Sequence, residues 1–304
     1  MKVSFSRKGF DSKYGRQPNA ILPDGTLLPF PIPDEDDGKD CFGELMLEGK
    51  YLIDYIKELK SKSYLSSSHL CHLDPDLRRE TKERPEGWKP AFGQTGSSLS
   101  ELRNNSFKES SLFLFFGWFR ETEIRKGELK YRKGAPHIQL IYGYLQVGEI
   151  IEKAGELPEW LSDHPHADRI LKNSEKDAIF LPTEKLSFLP ELPGASMLKY
   201  SRDLVLTSPG LSRSKWRLPD FFKNITISHS PKQPPLGDYY QSASIGQEMI
   251  WDTDQDTRSI EWLKQICKNI ESKNFIRFCR FRFRIGGRRR HRRGFHNISH
   301  IQDP

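Results

Sequence analysis

A chain of 304 residues is long enough for one large domain or two ordinary ones with a real core. At 36% apolar and 29% charged residues the composition is globular, and no heptad or Gly-X-Y period supports a fibre. The net charge of +7 is local: residues 277–304 carry nine arginines and one acid, while residues 1–276 hold 39 basic and 40 acidic side chains, so the body offers no diffuse nucleic-acid footprint.

The opening is rich in turns. A short strand is predicted over 2–6, followed by glycines and prolines and the turn Pro23-Asp24-Gly25. Over 44–62 the apolar residues Leu45, Leu47, Tyr51, Leu52, Tyr55, Ile56 and Leu59 recur at three- and four-residue spacing and predict a helix. Residues 74–90 read as a long loop too polar for a core, and 96–102 as one short helix. The run LFLFFGWF at 112–119 is apolar without alternation and predicts a strand buried on both faces. After a charged turn over 121–133, residues 137–151 predict its partner, with Gly143 and Gly148 marking a bend or bulge. Weaker strands are expected at 178–181 and 204–207, and a last helix over 258–271, where Ile260, Leu263, Cys267 and Ile270 share one face. The fold class is therefore α+β, with a mixed or antiparallel central sheet, a long hairpin at about 112–151 and peripheral helices. Residues 1–274 read as one domain. Residues 275–304 alternate Phe and Arg and then run RRRHRRGF; they read as a tail not integrated with the body, the other reading being an arm that stacks on bases and pairs with phosphates.

No apolar run approaches the roughly 20 residues of a spanning helix, and the start has no signal-peptide apolar region. Cys41, Cys71, Cys267 and Cys279 show no CxxC spacing, so unpaired thiols in a reducing cytoplasm are expected.

Several clusters could carry chemistry. Arg7 and Lys8 precede Gly9 at the end of the first strand, with Asp11 close by; two cations before a glycine suit an anion. His72-Leu73-Asp74-Pro75-Asp76 is the densest set of ligand-type groups. In an extended segment His72, Asp74 and Asp76 would point to one side, able to bind a hard divalent metal or to act as acid and base. Gln94 lies in FGQTGSS, whose glycines and small hydroxyls precede a helix and could hold a phosphate. Arg120 follows the apolar strand, where it could orient a substrate beside Trp118. His164-Pro165-His166 offers only two ligands. In Gly246-Gln247-Glu248, Glu248 could serve as an acid or base, but nothing in the sequence pairs it with a partner.

The opening SRKGFDSKYGRQPNAILPDGTLLPFPIPD, then HLDPDL, FGQTGSS, LFLFFGWFR, HIQLIYGYLQVGEII, SKWRLP and GQE, in that order and up to about Trp262, resemble the nucleotide modification associated domain 3 family. The family is similar to domains that accompany DNA base modification in phages and bacteria. The resemblance therefore implies an association with nucleotide or DNA modification and with partner enzymes of such a system. It marks Arg7, Lys8, Asp11, His72, Asp74, Asp76, Gln94, Arg120 and Gln247 as family-typical, and it often has glycine where Arg16 stands here. Two functions follow as expectations: an enzyme acting on a nucleotide or modified base, or a non-catalytic PUA-like reader of modified bases. The enzyme would use His72, Asp74 and Asp76 for catalysis and the other family-typical residues for substrate. Its early and middle loops are expected to meet in a shared anionic-ligand cavity.

Overall fold

The structure, a computed structural model, describes residues 1–172, 174–228, 239–242 and 248–271. Cys279, Gln247 and the arginine-rich tail lie outside the described residues. Ten strands form one mixed sheet: β1 (Lys2–Arg7), β2 (Asn19–Ile21), β3 (Leu27–Leu28), β4 (Phe92–Thr95), β5 (Leu112–Arg125), β6 (Glu128–Tyr131), β7 (Ile138–Ile151), β8 (Asp177–Pro182), β9 (Ala195–Met197) and β10 (Met249–Asp252). The main order is β10-β1-β5-β7-β8-β4; β2 and β6 also pair with β5, β9 with β7, and β3 with β2. β1 and β2 run parallel to β5, and the other pairs are antiparallel.

The long hairpin is the centre of this sheet. β5 buries Leu112 to Phe116 on both faces, which is why its sequence does not alternate. Phe113 and Phe115 pack on Phe92 with ring centroids 4.8 and 4.9 Å apart, while Phe116 meets Trp216 at 4.9 Å. The register between β5 and β7 slips between Phe115 and Phe116, opposite Gly143, and that between β7 and β8 slips between Val147 and Glu149, around Gly148. Both glycines thus sit at bulges. The charged stretch after Phe119 is less of a turn than expected: β5 continues to Arg125, and only Lys126 and Gly127, with φ of 53° and 82°, reverse the chain into β6.

Among the described residues four α-helices flank the sheet: α1 (Leu52–Leu59), α2 (Gly96–Asn104), α3 (Ala167–Leu171) and α4 (Arg258–Cys267). α1 starts later than the apolar spacing predicts. Met46–Leu47 pairs instead with Lys50–Tyr51 through Glu48 and Gly49, both at positive φ, a two-residue turn that a helix could not contain. Leu45 and Leu47 are buried all the same, beside α1 in a second core cluster with Phe10, Phe30 and Phe42. The expected strand at 204–207 is a 3-10 turn over Arg202–Leu204 followed by single bridges from Val205 to Leu140 and from Thr207 to Trp216. The loop after His72 is buried in part, against expectation. Arg84 grips Asp76, and Arg78 grips Glu271 while donating to the Leu27 carbonyl, so the polar groups enter with partners.

No helix among the described residues is long and apolar enough to cross a membrane. Cys41, Cys71 and Cys267 are free thiols.

Candidate functional site: a histidine–aspartate centre

Three separate pieces of chain build the site. A small three-stranded sheet sets Leu70–His72 between Ile32–Pro33 and Asp40–Cys41, and the pairing of Ile32 with His72 brings Asp34 beside the His72 ring. Asp34 Oδ1 accepts from the backbone N–H groups of Asp36 and Asp37 at 3.1 and 3.2 Å, which leaves Oδ2 for His72 Nδ1 at 3.2 Å. His72, aided by those amides, overrides burial and holds the Asp34 carboxyl at about 2.

The second piece is the turn entering α3. The His164 carbonyl accepts from the Ala167 N–H, and the His166 carbonyl from Ile170, so His166 stands at the head of the helix. Its Nδ1 lies 3.1 Å from Asp177 Oδ1 on β8. Asp177 is also fixed by the Ser174 hydroxyl at 2.7 Å on its other oxygen. Burial alone would raise Asp177; His166 first, then Ser174 and Thr95, bring it down to about 2. His166 itself is pulled below its ordinary value by burial, against the opposing pull of Asp177 and Asp74.

Strand β4 is the third piece. Gly93 donates its backbone N–H to Asp74 Oδ1 at 2.7 Å, and a β-carbon on Gly93 would stand 2.1 Å from His166 Cδ2. The glycine is what lets imidazole and strand touch. His164 Nε2 also points at Asp74 Oδ1, from 3.4 Å. Asp74 is thus surrounded by imidazoles; His164 first, then His166 and His72, overcome its burial and hold it at about 2.

The result is a convergence of ligand-type atoms. His72 Nε2 and His166 Nε2 are 3.2 Å apart, and Asp74 Oδ2 is 4.0 and 3.9 Å from them. Among the described residues this trio is the one group of three or more ligand-type side chains with atoms mutually within 4.8 Å. His72 keeps 14% of its side chain exposed, against 4% for Asp74 and for His166, so the centre opens toward solvent on the His72 side.

The other sequence-predicted residues lie elsewhere. Asp76 does not join the trio. The Asp74 N–H bonds back to the His72 carbonyl at 3.0 Å, a tight turn at Leu73 that breaks the expected alternation, and Asp76 pairs with both guanidinium nitrogens of Arg84 at 2.6 Å. Burial raises its carboxyl despite Arg84. Arg7 and Lys8 diverge. Lys8 lies 4.0 Å from buried Glu248 and 4.5 Å above the Phe92 ring, in a cluster where Glu248 accepts from Ser4, Ser6 and Gln94 at 2.6, 2.7 and 2.6 Å. Arg7 lies 3.7 Å from Asp11, whose other oxygen accepts from the Lys13 and Tyr14 backbone and so shapes the loop. Arg120 donates to the carbonyls of Ala135 and Arg132.

Strand alternation sets these groups against one another. On β4, Phe92 and Gln94 face Lys8 and Glu248, while Gly93 faces His166, so the lysine cluster and the histidine centre flank opposite faces of one strand. The shared cavity expected from the sequence does not form among the described residues. A cavity of about 1000 Å³ is lined by His137, Arg202, Arg217 and Trp262 among others and contains none of the trio, whereas Asp74 borders one of about 40 Å³. Trp118, the base-stacking candidate, has its ring covered by the Arg213 guanidinium at 4.1 Å and its N–H donated to His137 at 3.0 Å.

Sequence reasoning missed Asp34 and Asp177, and it gave the His164-Pro165-His166 pair too few ligands. Two histidines immediately before a helix were the available signal, but the third ligand comes from nearly a hundred positions away.

An α+β sheet protein with a histidine–carboxylate centre at one sheet edge is the class that fold and site define. The chain belongs to the nucleotide modification associated domain 3 family, whose model matches residues 2–252, from the first strand of the sheet to the last. No curated protein and no solved structure shows a significant match.

Proposed function

We propose that the protein is a cytoplasmic enzyme of nucleotide or DNA base modification whose reaction centre is the group His72, Asp74 and His166. Membership of a nucleotide modification associated family supports a nucleotide or nucleic-acid base as the substrate class. The observation that carries the enzymatic reading is the orientation of both imidazoles by carboxylates, Asp34 on His72 and Asp177 on His166. Rings held this way present defined nitrogens to a ligand, which is what proton transfer or metal-assisted chemistry needs.

Roles then follow from position. His72, the more exposed ring, meets the substrate first. Lys8 and Gln94 hold Glu248 and thereby the β1–β10 edge. Asp76 acts through Arg84 on the shape of the loop that carries Asp74. The partner enzymes of a phage or bacterial base-modification system would supply or consume the modified nucleotide. Against the alternative, a reader of modified bases, one face of the Trp118 ring is taken by the Arg213 guanidinium.

Mass spectrometry of DNA and free nucleosides from cells carrying the gene with its neighbours tests this reading. A nucleoside present with the intact gene should disappear with His72→Gln or with deletion of the gene. Identical nucleoside profiles in all three strains would defeat it.

A further inference from the structure

We propose that His72 Nε2, His166 Nε2 and Asp74 Oδ2 bind one divalent transition-metal ion, of the zinc or ferrous class and not magnesium or calcium. The proposal deepens the reading above and rests on the same centre.

A carboxylate only accepts hydrogen bonds. His72 Nδ1 faces Asp34 and His166 Nδ1 faces Asp177, so both Nδ1 atoms carry the ring protons. In the neutral rings both Nε2 atoms are then lone-pair acceptors, and they lie 3.2 Å apart. Asp74 Oδ2, a third acceptor, lies 3.9 to 4.0 Å from each. Three acceptors converging with no donor among them repel one another unless a cation stands between them.

Distances fit such an ion. Two imidazole nitrogens about 2.05 Å from one tetrahedral ion are about 3.3 Å apart, close to the 3.2 Å found. The carboxylate oxygen would need to close by about half an ångström, the scale of a side-chain adjustment on binding. Asp74 is prepared for this. Its Oδ1 is already taken by the Gly93 N–H at 2.7 Å, and His164 Nε2, a buried nitrogen with no hydrogen-bond partner, faces the same oxygen. That leaves Oδ2 for the ion.

The outer shell agrees. Asp34 and Asp177 stand where carboxylates behind metal-binding histidines stand, fixing ring orientation and raising ligand basicity. Two nitrogen donors and one oxygen select a borderline ion over the all-oxygen cations. Three protein ligands with one partly exposed ring leave a coordination position for water or substrate.

The test is metal binding by the full chain, stripped with a chelator and titrated with Zn²⁺ or Mg²⁺ at neutral pH in the absence of any nucleotide. One Zn²⁺ per chain and no Mg²⁺ uptake are expected. His166→Gln should weaken Zn²⁺ binding about a hundredfold or more, and Asp34→Asn about tenfold; His137→Gln, outside the centre, should leave it unchanged. The tail contains His291, His296, His300 and Cys279, so zinc uptake equal in wild type and His166→Gln would overturn the proposal. Should His166→Gln not fold, imidazole ¹⁵N NMR of the wild type decides. Zinc should shift Nε2 of His72 and His166 together with both Nδ1 atoms still protonated. A proton shared between the two Nε2 atoms and indifferent to zinc would overturn it. Since no turnover is measured, a chain that binds zinc but leaves nucleoside profiles unchanged would fail the function and keep the metal site.

Discussion

At the scale of single residues, Arg16 shows how a chemical choice is recorded in backbone geometry. It sits at φ 55°, the left-handed region that glycine occupies without penalty. Its guanidinium lies 5.5 Å from the exposed Tyr64 ring, a contact of about 0.5 kcal/mol. Relieving the left-handed strain returns about 1–2 kcal/mol, offset by the added freedom of an unfolded glycine, about 0.4–1 kcal/mol. Arg16→Gly should therefore leave the protein as stable or raise its stability by up to about 1 kcal/mol, read from chemical denaturation. A loss of 1 kcal/mol or more would mean that the arginine side chain holds the loop. Asn19 is a residue of the opposite kind. Fully buried, it accepts from Phe10 and Phe30 and donates to Phe10 and Trp118, tying the opening loop to β5 through four backbone groups. Its amide carries no charge, and the sequence points to no partner for it, so nothing in the sequence announced its role.

At the scale of elements, β4 decides where the chemistry lies. Four residues long, it faces the aromatic core with Phe92 and the histidine centre with Gly93. Gly93→Ala would drive a methyl group into the His166 ring, so stability should fall by about 1–3 kcal/mol, and zinc affinity should fall with it. Gly155→Ala, where an added β-carbon meets nothing within 4 Å, is the matched control. If Gly93→Ala behaves like Gly155→Ala in both melting and titration, His166 does not pack on β4 as described. The strands of the hairpin were legible because unbroken apolar runs of 112–116 and the 138–147 stretch have few other outcomes in a folded chain. α1 was legible in kind but not in length, since the spacing of Leu45 and Leu47 fits a helix as well as the hairpin that the turn at Glu48 and Gly49 imposes. Within the centre, His72 and Asp74 stood out as a local cluster. Asp76 misled, because the turn at Leu73 cancels the alternation that placed it with them. Asp34, His166 and Asp177 come from distant positions, and only the pairing of strands brings them within reach of His72 and Asp74.

At the scale of the whole molecule, the family match ends at Asp252, where the main sheet ends, and the described chain continues through α4 to Glu271. α4 closes the core with Leu263, Ile266 and Cys267, and Glu271 receives Arg78 in a buried ion pair at 2.6 Å. Breaking such a pair from one side costs about 3–5 kcal/mol, so the boundary of the stable unit should fall after Glu271 and not at the end of the family match. Chains ending at Asn274 should keep a cooperative melt at the full-length midpoint, whereas Glu271→Gln should lower it by several degrees. Loss of the melt on removing 275–304 would show that the arginine-rich end belongs to the folded body.

Anomalous diffraction at the zinc edge, from crystals of the zinc-loaded full chain, asks whether histidines from two distant loops and an aspartate beside one of them form one coordinating centre. A single strong peak is expected between His72 Nε2 and His166 Nε2, within bonding distance of Asp74 Oδ2, with Asp34 and Asp177 still behind the two rings. Zinc found only elsewhere on the chain, or the two rings apart with no peak between them, would contradict the account.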